Sequence, residues 1–327
     1  MINTKCFDFL LGFSFILFAS FNLYAQDDDS ETIRVTTRLV SVDVLVMDKR
    51  TGARIDELKR EDFTILDEGR LQTLTHFSRG SSAEQPLTIV LLIDTSTTMD
   101  QWKLSRIRTG LERALTKLRL EDEVAVMTYS PGSKMIQELT RDRKRVLDAL
   151  NIIAENQEPT KKRINHTGSD MTAGFLASMR HVRERLPKAR MALVVISDDA
   201  NDTSQQVAAD VTDKLLAGGA VVNGLLSIRG KITISNPLSQ DKNIKYFSEQ
   251  TGGEVVKVRD ADYSSALEQV IGNLAGRYSL GFIPDNALLD GRFHKLIVKV
   301  KVPASLGKGR KIEIKTRRGY FAPKEAE

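Results

Sequence analysis

The spacing of apolar positions changes twice along this chain, and each change marks a change of architecture. Between residues 33 and 79 the period is two. Val40, Val42, Val44 and Val46 alternate with Ser41, Asp43 and Leu45, which predicts a half-buried strand ending in the turn Asp48 to Gly52. Phe63 to Leu66, the turn Asp67-Glu68-Gly69 and the run Leu71 to Phe77 predict a hairpin. Ser78 to Gln85 is small and polar, a linker before Pro86.

From Leu87 the period alternates between strand and helix, the pattern of a mainly parallel sheet covered on both faces. Leu87 to Ile93 reads as a buried strand, and Leu104, Ile107, Leu111, Leu115 and Leu118 then recur at helical spacing. Val124, Val126 and Thr128 predict a strand that turns at Pro131-Gly132 into another, Met135 to Leu139. So short a turn permits only an antiparallel pair. Helices are predicted near 143–154, 171–186, 204–217 and 241–250, and strands near 190–197, 220–227 and 254–258. A last helix, with Leu267, Val270, Ile271 and Leu274 on one face, runs to about Gly276.

Period two then returns at Tyr278 to Phe282, His294 to Lys301 and Lys311 to Thr316, with Arg318-Gly319-Tyr320-Phe321 after them. Neither β segment is large enough to stand alone, because pieces of two or three strands rarely are. The expected fold class is therefore α/β. A Rossmann-like domain over residues 86–276 is inserted into a β-sandwich-like domain formed by residues 32–80 and 277–323.

The 327 residues leave room for two domains, and 41% hydrophobic with 28% charged residues is an ordinary globular composition. The start differs. Phe9 to Phe21 is nearly all apolar, Lys5 precedes it, and Ala25 offers a small residue before Asp27-Asp28-Asp29. Residues 1–25 read as a secretory signal peptide, which implies a periplasmic or secreted protein. The other reading is a retained N-terminal anchor, although the apolar run falls short of the roughly 20 residues a span needs. The single cysteine, Cys6, lies inside this segment, so the remainder has no disulfide, thiolate nucleophile or cysteine metal site.

Net charge is +5, and Lys308, Arg310, Lys311, Lys315, Arg317 and Arg318 concentrate it near the end. In Lys311-Ile312-Glu313-Ile314-Lys315 the charges alternate with isoleucines, which is the wet face of a strand. No nucleic-acid partner is expected from this pattern.

The candidate chemistry lies where polar residues follow apolar strands. Asp94-Thr95-Ser96-Thr97-Thr98 ends one strand, Thr167-Gly168-Ser169-Asp170 precedes a helix, and Asp198 ends the strand Ala192 to Ser197. Oxygen ligands suit a hard divalent cation such as Mg²⁺ or Mn²⁺. Open α/β sheets gather their sites at the carboxyl ends of strands. The plainer reading is that Asp94 and Ser96 cap the next helix, as Asp and Ser often do.

Asp94-x-Ser96-x-Thr98 resembles the metal-ion-dependent adhesion site of von Willebrand factor type A domains, whose usual form is Asp-x-Ser-x-Ser. Gly168-Ser169-Asp170-Met171 resembles that family's Gly-Thr-x-Leu. Val195 to Asp202 resembles its strand ending in Thr-Asp-Gly, with Asp199 in the glycine position. The resemblance implies a metal held by Asp94, Ser96, Thr98, Ser169 and Asp198, and a protein partner whose acidic side chain completes the coordination. The layout also resembles secreted proteins, common in acidobacteria, that carry a type A-related domain between β segments. Their ending is matched by Tyr278 to Phe282, Asp290-Gly291 and Arg317 to Tyr320.

Catalytic residues are not expected. His76, His166, His181 and His294 are scattered, and neither a Gly-x-Ser-x-Gly elbow nor a phosphate-cradling glycine loop occurs. The expectation is a metal-dependent binding protein rather than an enzyme. A scaffold with a vestigial metal site is the alternative, and a metal-assisted hydrolase a weaker one. Trp102, which closely follows the first cluster, forms either part of a binding rim or packing beneath its own helix.

Overall fold

The computed structural model describes residues 39–80, 85–96, 99–129, 132–156, 171–186, 189–197, 205–227, 242–284, 290–307 and 309–322. The signal segment predicted over 1–25 lies outside them. Among the described residues no helix is long and apolar enough to cross a membrane.

The central sheet has six strands: β5 (Leu87–Asp94), β6 (Glu123–Tyr129), β7 (Ser133–Thr140), β8 (Arg190–Ser197), β9 (Ala220–Ser227) and β10 (Val255–Val258). Their spatial order is β10-β9-β8-β5-β6-β7, and only the β6–β7 pair is antiparallel. This is the doubly wound order, in which the chain builds outward from a central strand first one way and then the other.

Helices cover both faces: α1 (Gln101–Leu115), α2 (Arg143–Glu155), α3 (Met171–Arg185), α4 (Gln205–Ala217), α5 (Lys242–Thr251) and α6 (Tyr263–Ala275). Every residue of β5 is buried, because its two faces serve different cores. Ile89, Leu91 and Ile93 pack with Leu104, Leu111 and Leu150 and with Leu267 and Val270 of α6. Val90 and Leu92 pack with Phe175, Val211 and Phe247 from the opposite layer.

The flanking segments form two four-stranded sheets. One has the order β13 (Ile312–Lys315), β1 (Val40–Asp48), β11 (Tyr278–Phe282) and β4 (Leu74–Ser78). The other has the order β14 (Gly319–Phe321), β12 (Phe293–Val300), β2 (Phe63–Asp67) and β3 (Arg70–Gln72). They face one another over a shared core of Val42, Val44, Phe63, Ile65, Leu280 and Val298. Both sheets thus combine strands from both ends of the chain, alternating in the first and side by side in the second.

The α/β segment leaves and rejoins the sandwich at neighbouring strands, where Ser78 of β4 pairs with Ser279 of β11. The two crossing chains touch closely. A Cβ on Gly80 would run into the carbonyl of Ala275, so only glycine fits there.

Two expectations are corrected. Leu71 to Phe77 is not one hairpin strand. Arg70–Gln72 pairs with β2, whereas Leu74–Ser78 pairs with β11 in the other sheet. The apolar residues there do not keep period two: Leu71 is 67% exposed and Leu74 is buried, so the chain crosses between sheets at Thr73. The basic tail is not uniformly a wet face either. Arg310, Lys311 and Arg318 are exposed, but Arg317 is half-buried and its guanidinium donates to the Ser41 carbonyl at 2.6 Å.

Candidate metal site

The switch point of the doubly wound sheet lies between β5 and β8, where the connections run off in opposite directions. Ile93 pairs with Ile196, so Asp94 and Ser197 leave their strands side by side at the carboxyl edge. Asp94 has no exposed surface. A carboxylate buried to that degree must be held by directed hydrogen bonds or by a cation.

Both of its oxygens are oriented. The Ser96 amide donates to Oδ1 at 2.8 Å, a short-range turn that suits aspartate. The Ser197 hydroxyl donates to Oδ2 at 2.7 Å. The next residue anchors the turn to the other neighbouring strand: the Thr95 amide and hydroxyl both donate to the Tyr129 carbonyl, at 3.0 and 3.1 Å. The Met99 amide then donates to the Ser96 carbonyl at 3.0 Å.

The capping alternative for Asp94 and Ser96 is not how the next helix begins. Asp100 is the N-cap of α1, its Oδ1 accepting the Lys103 amide at 2.8 Å. Asp94 and Ser96 lie a turn earlier, where they bond to each other and to β8.

Of the five expected ligands, Asp94 and Ser96 stand together at this turn. Thr98, Ser169 and Asp198 lie outside the described residues, as does His166. Among the described residues no three His, Cys, Asp or Glu side chains gather to hold an ion, and the described part of the candidate site is the buried Asp94 carboxylate beside the serines Ser96 and Ser197. That all-oxygen donor set fits Mg²⁺ or Mn²⁺ and does not fit a soft metal. Ser197 is the contact that sequence reasoning missed. The signal was available, because the last residue of a strand beside β5 must stand next to Asp94.

Trp102 sits in the first turn of α1 and is 55% exposed, so it does not pack beneath its helix. The Arg106 guanidinium lies 5.1 Å from its ring centroid, within cation–π range. In the sandwich, apart from this site, His294 stands between Asp67 and Asp290, 3.5 Å from each.

Residues 89–201 match the family model described as von Willebrand factor type A domain. Among solved structures, an aerotolerance-related membrane protein from Bacteroides fragilis is similar at 15% identity over 57% of this chain and 98% of that one, with TM-score 0.43. A von Willebrand factor type A protein from Catenulispora acidiphila is similar at 10% identity over 78% of this chain and 73% of that one, with TM-score 0.46. Proximal thread matrix protein 1 from the mussel byssus, with a zinc-occupied MIDAS motif, is similar at 13% identity over 61% of this chain and 49% of that one, with TM-score 0.41. No curated protein matches by sequence.

Proposed function

Starting from a chain that carries a von Willebrand factor type A domain, a family made up generally of protein-interaction modules, we propose that it is an exported, divalent-metal-dependent binding protein. The cation is Mg²⁺ or Mn²⁺, and the ligand is a protein that presents an acidic side chain. The observation that carries this reading is Asp94: a fully buried carboxylate at the switch point, with one oxygen fixed by the Ser96 amide and the other by the Ser197 hydroxyl.

Asp94, Ser96, Thr98, Ser169 and Asp198 would hold the ion. Bound there, the cation would offer an electrophilic position to a carboxylate. The rest is done by this chain's own side chains. Ser197 and the Ser96 amide keep the Asp94 oxygens in one orientation, so little ordering remains to be done when a ligand arrives. Trp102 offers an exposed aromatic surface beside the turn, and Arg106 adds a positive charge that favours an acidic partner. The apolar run at Phe9 to Phe21 supports export.

The test is selection from a displayed peptide library on the immobilised full chain in Mg²⁺, followed by elution with chelator. Peptides enriched in Asp or Glu, released by chelator and not retained by Asp94→Ala, support the reading. Peptides retained equally in chelator, with no acidic residue in common, overturn it.

A further inference from the structure

A second concentration of charge lies far from Asp94, where the sandwich meets the amino end of the central sheet. In β1, Val42 and Val44 point into the sandwich core, so Asp43 points the other way. Asp43 lies opposite Ser279 of β11, which lies opposite Ser78 of β4. Arg190, the first residue of β8, reaches Asp43 from the α/β side, its Nε 3.3 and 3.2 Å from the two carboxylate oxygens.

Two more guanidiniums converge there. Arg277 precedes β11 and shares the face of Ser279 by the two-residue period. It is 1% exposed, and its Nη2 donates to the Gly252 carbonyl at 2.7 Å. Arg317 lies two residues past the Leu45–Lys315 pair, which brings it alongside Asp43, and it is tied to Ser41. Burial pushes the Arg317 guanidinium down to about 10, which leaves it charged at neutral pH.

The acidic groups do not balance these cations. Asp43 bonds to Arg190. Glu254 acts on Arg277 at a distance, but its own oxygens accept from the Gln269 and Asn273 amides at 3.0 and 2.9 Å. Three guanidiniums against two carboxylates leave one positive charge in a buried joint.

Donors are also in excess. Among the described residues, no acceptor lies within reach of Arg277 Nε and Nη1, Arg190 Nη2 or Arg317 Nε, all of them buried, and Ser78 Oγ is in the same position. Buried N–H groups without acceptors are costly and rare in native folds, most of all on a charged group. Water could accept from them, but it would leave the charge uncompensated.

We propose that this joint binds a small monovalent anion of the halide class, held by Arg190, Arg277 and Arg317. One excess charge sets the valence. Close packing favours a small ion: on one side of the joint the Gly252 backbone lies so close to that of Thr316 and Arg317 that even a Cβ would clash. The anion ties β8 and the α6–β11 passage to β1 and the chain after β13, across the junction of the two folded parts.

The experiment uses the full chain in two ways. Thermal unfolding is followed while chloride replaces gluconate, an anion too large for a buried site, at constant ionic strength. Saturable stabilisation by chloride is expected, with the midpoint raised about tenfold in Arg317→Gln, which loses one charge-assisted contact. Crystals soaked in bromide give the second reading, independent of any variant: an anomalous peak among Arg190, Arg277 and Arg317 is expected. Equal melting temperatures in chloride and gluconate, together with bromide-soaked crystals showing only water at the joint, would overturn the proposal.

Discussion

The hydroxyl of Ser197 donates to Asp94 Oδ2 at 2.7 Å, joining the carboxyl ends of two adjacent parallel strands that are 103 positions apart in sequence. The contact is buried on both sides. It fixes one half of the carboxylate on which the functional reading rests, and it gives the first prediction. Ser197→Ala should destabilise the fold by about 1–3 kcal/mol, the cost of removing a partner from a buried charged acceptor. Urea unfolding measures this directly, and a change within error would show that Asp94 does not depend on Ser197.

Asp100→Ala separates helix capping from metal chemistry. It removes the N-cap of α1 and should cost about 1 kcal/mol while leaving Mg²⁺ binding intact. Asp94→Ala should do the reverse to binding. If Asp100→Ala abolished metal binding as well, the division of labour drawn here between the two aspartates would be wrong.

Tyr278 joins the sandwich core to its loops. Its hydroxyl donates to the Ile55 carbonyl at 2.8 Å and accepts the Leu58 amide at 3.0 Å, while its ring packs on Phe63 and Phe77. Tyr278→Phe strands both backbone groups and should cost about 1–3 kcal/mol. Burial pushes the phenol from its ordinary 10.0 up to about 12, so the fold favours the neutral form. That contribution is fully present below pH 10 and is lost as pH rises through about 12. Alkaline unfolding of the wild type should therefore steepen in that window, and Tyr278→Phe should remove the extra steepness.

Asp262 works on the acid side. It caps α6, and hydrogen bonds from the Ser265 hydroxyl and amide hold its carboxyl below the ordinary value of 3.8. A depressed value means that the contribution is present above the unfolded pKa and is lost as pH falls through the folded one. Asp262→Asn should make stability less sensitive to acid as pH falls below the ordinary carboxylate value of 3.8. An unchanged acid limb in denaturant titrations would count against a role for this cap.

The central domain was largely legible in the sequence because parallel strands, buried on both faces, write themselves as unbroken apolar runs between helical periods. The helix predicted over 143–154 is observed at Arg143–Glu155, and the strand near 190–197 at Arg190–Ser197. The crossing at Thr73 was not legible. Three-residue strands carry too little periodicity to reveal which sheet they join, and Leu71 looks the same whether exposed or buried.

At the metal site, Asp94 and Ser96 were legible as a motif, but their bond to Ser197 depends on which strands lie side by side. The arginine joint was not legible at all. Arg190, Arg277 and Arg317 sit at the edges of strands, where sequence reads a charge as facing solvent. Only the docking of the sandwich on the amino end of β8 brings them together around Asp43.

The most direct test of the central claim is calorimetric titration of Mg²⁺ and Mn²⁺ into the chelator-stripped chain, with Asp94→Ala and Thr98→Ala alongside. The account predicts saturable binding of one ion, abolished by the first substitution and weakened by the second. Heats indistinguishable from dilution in the folded wild type, or binding that survives Asp94→Ala, would contradict it.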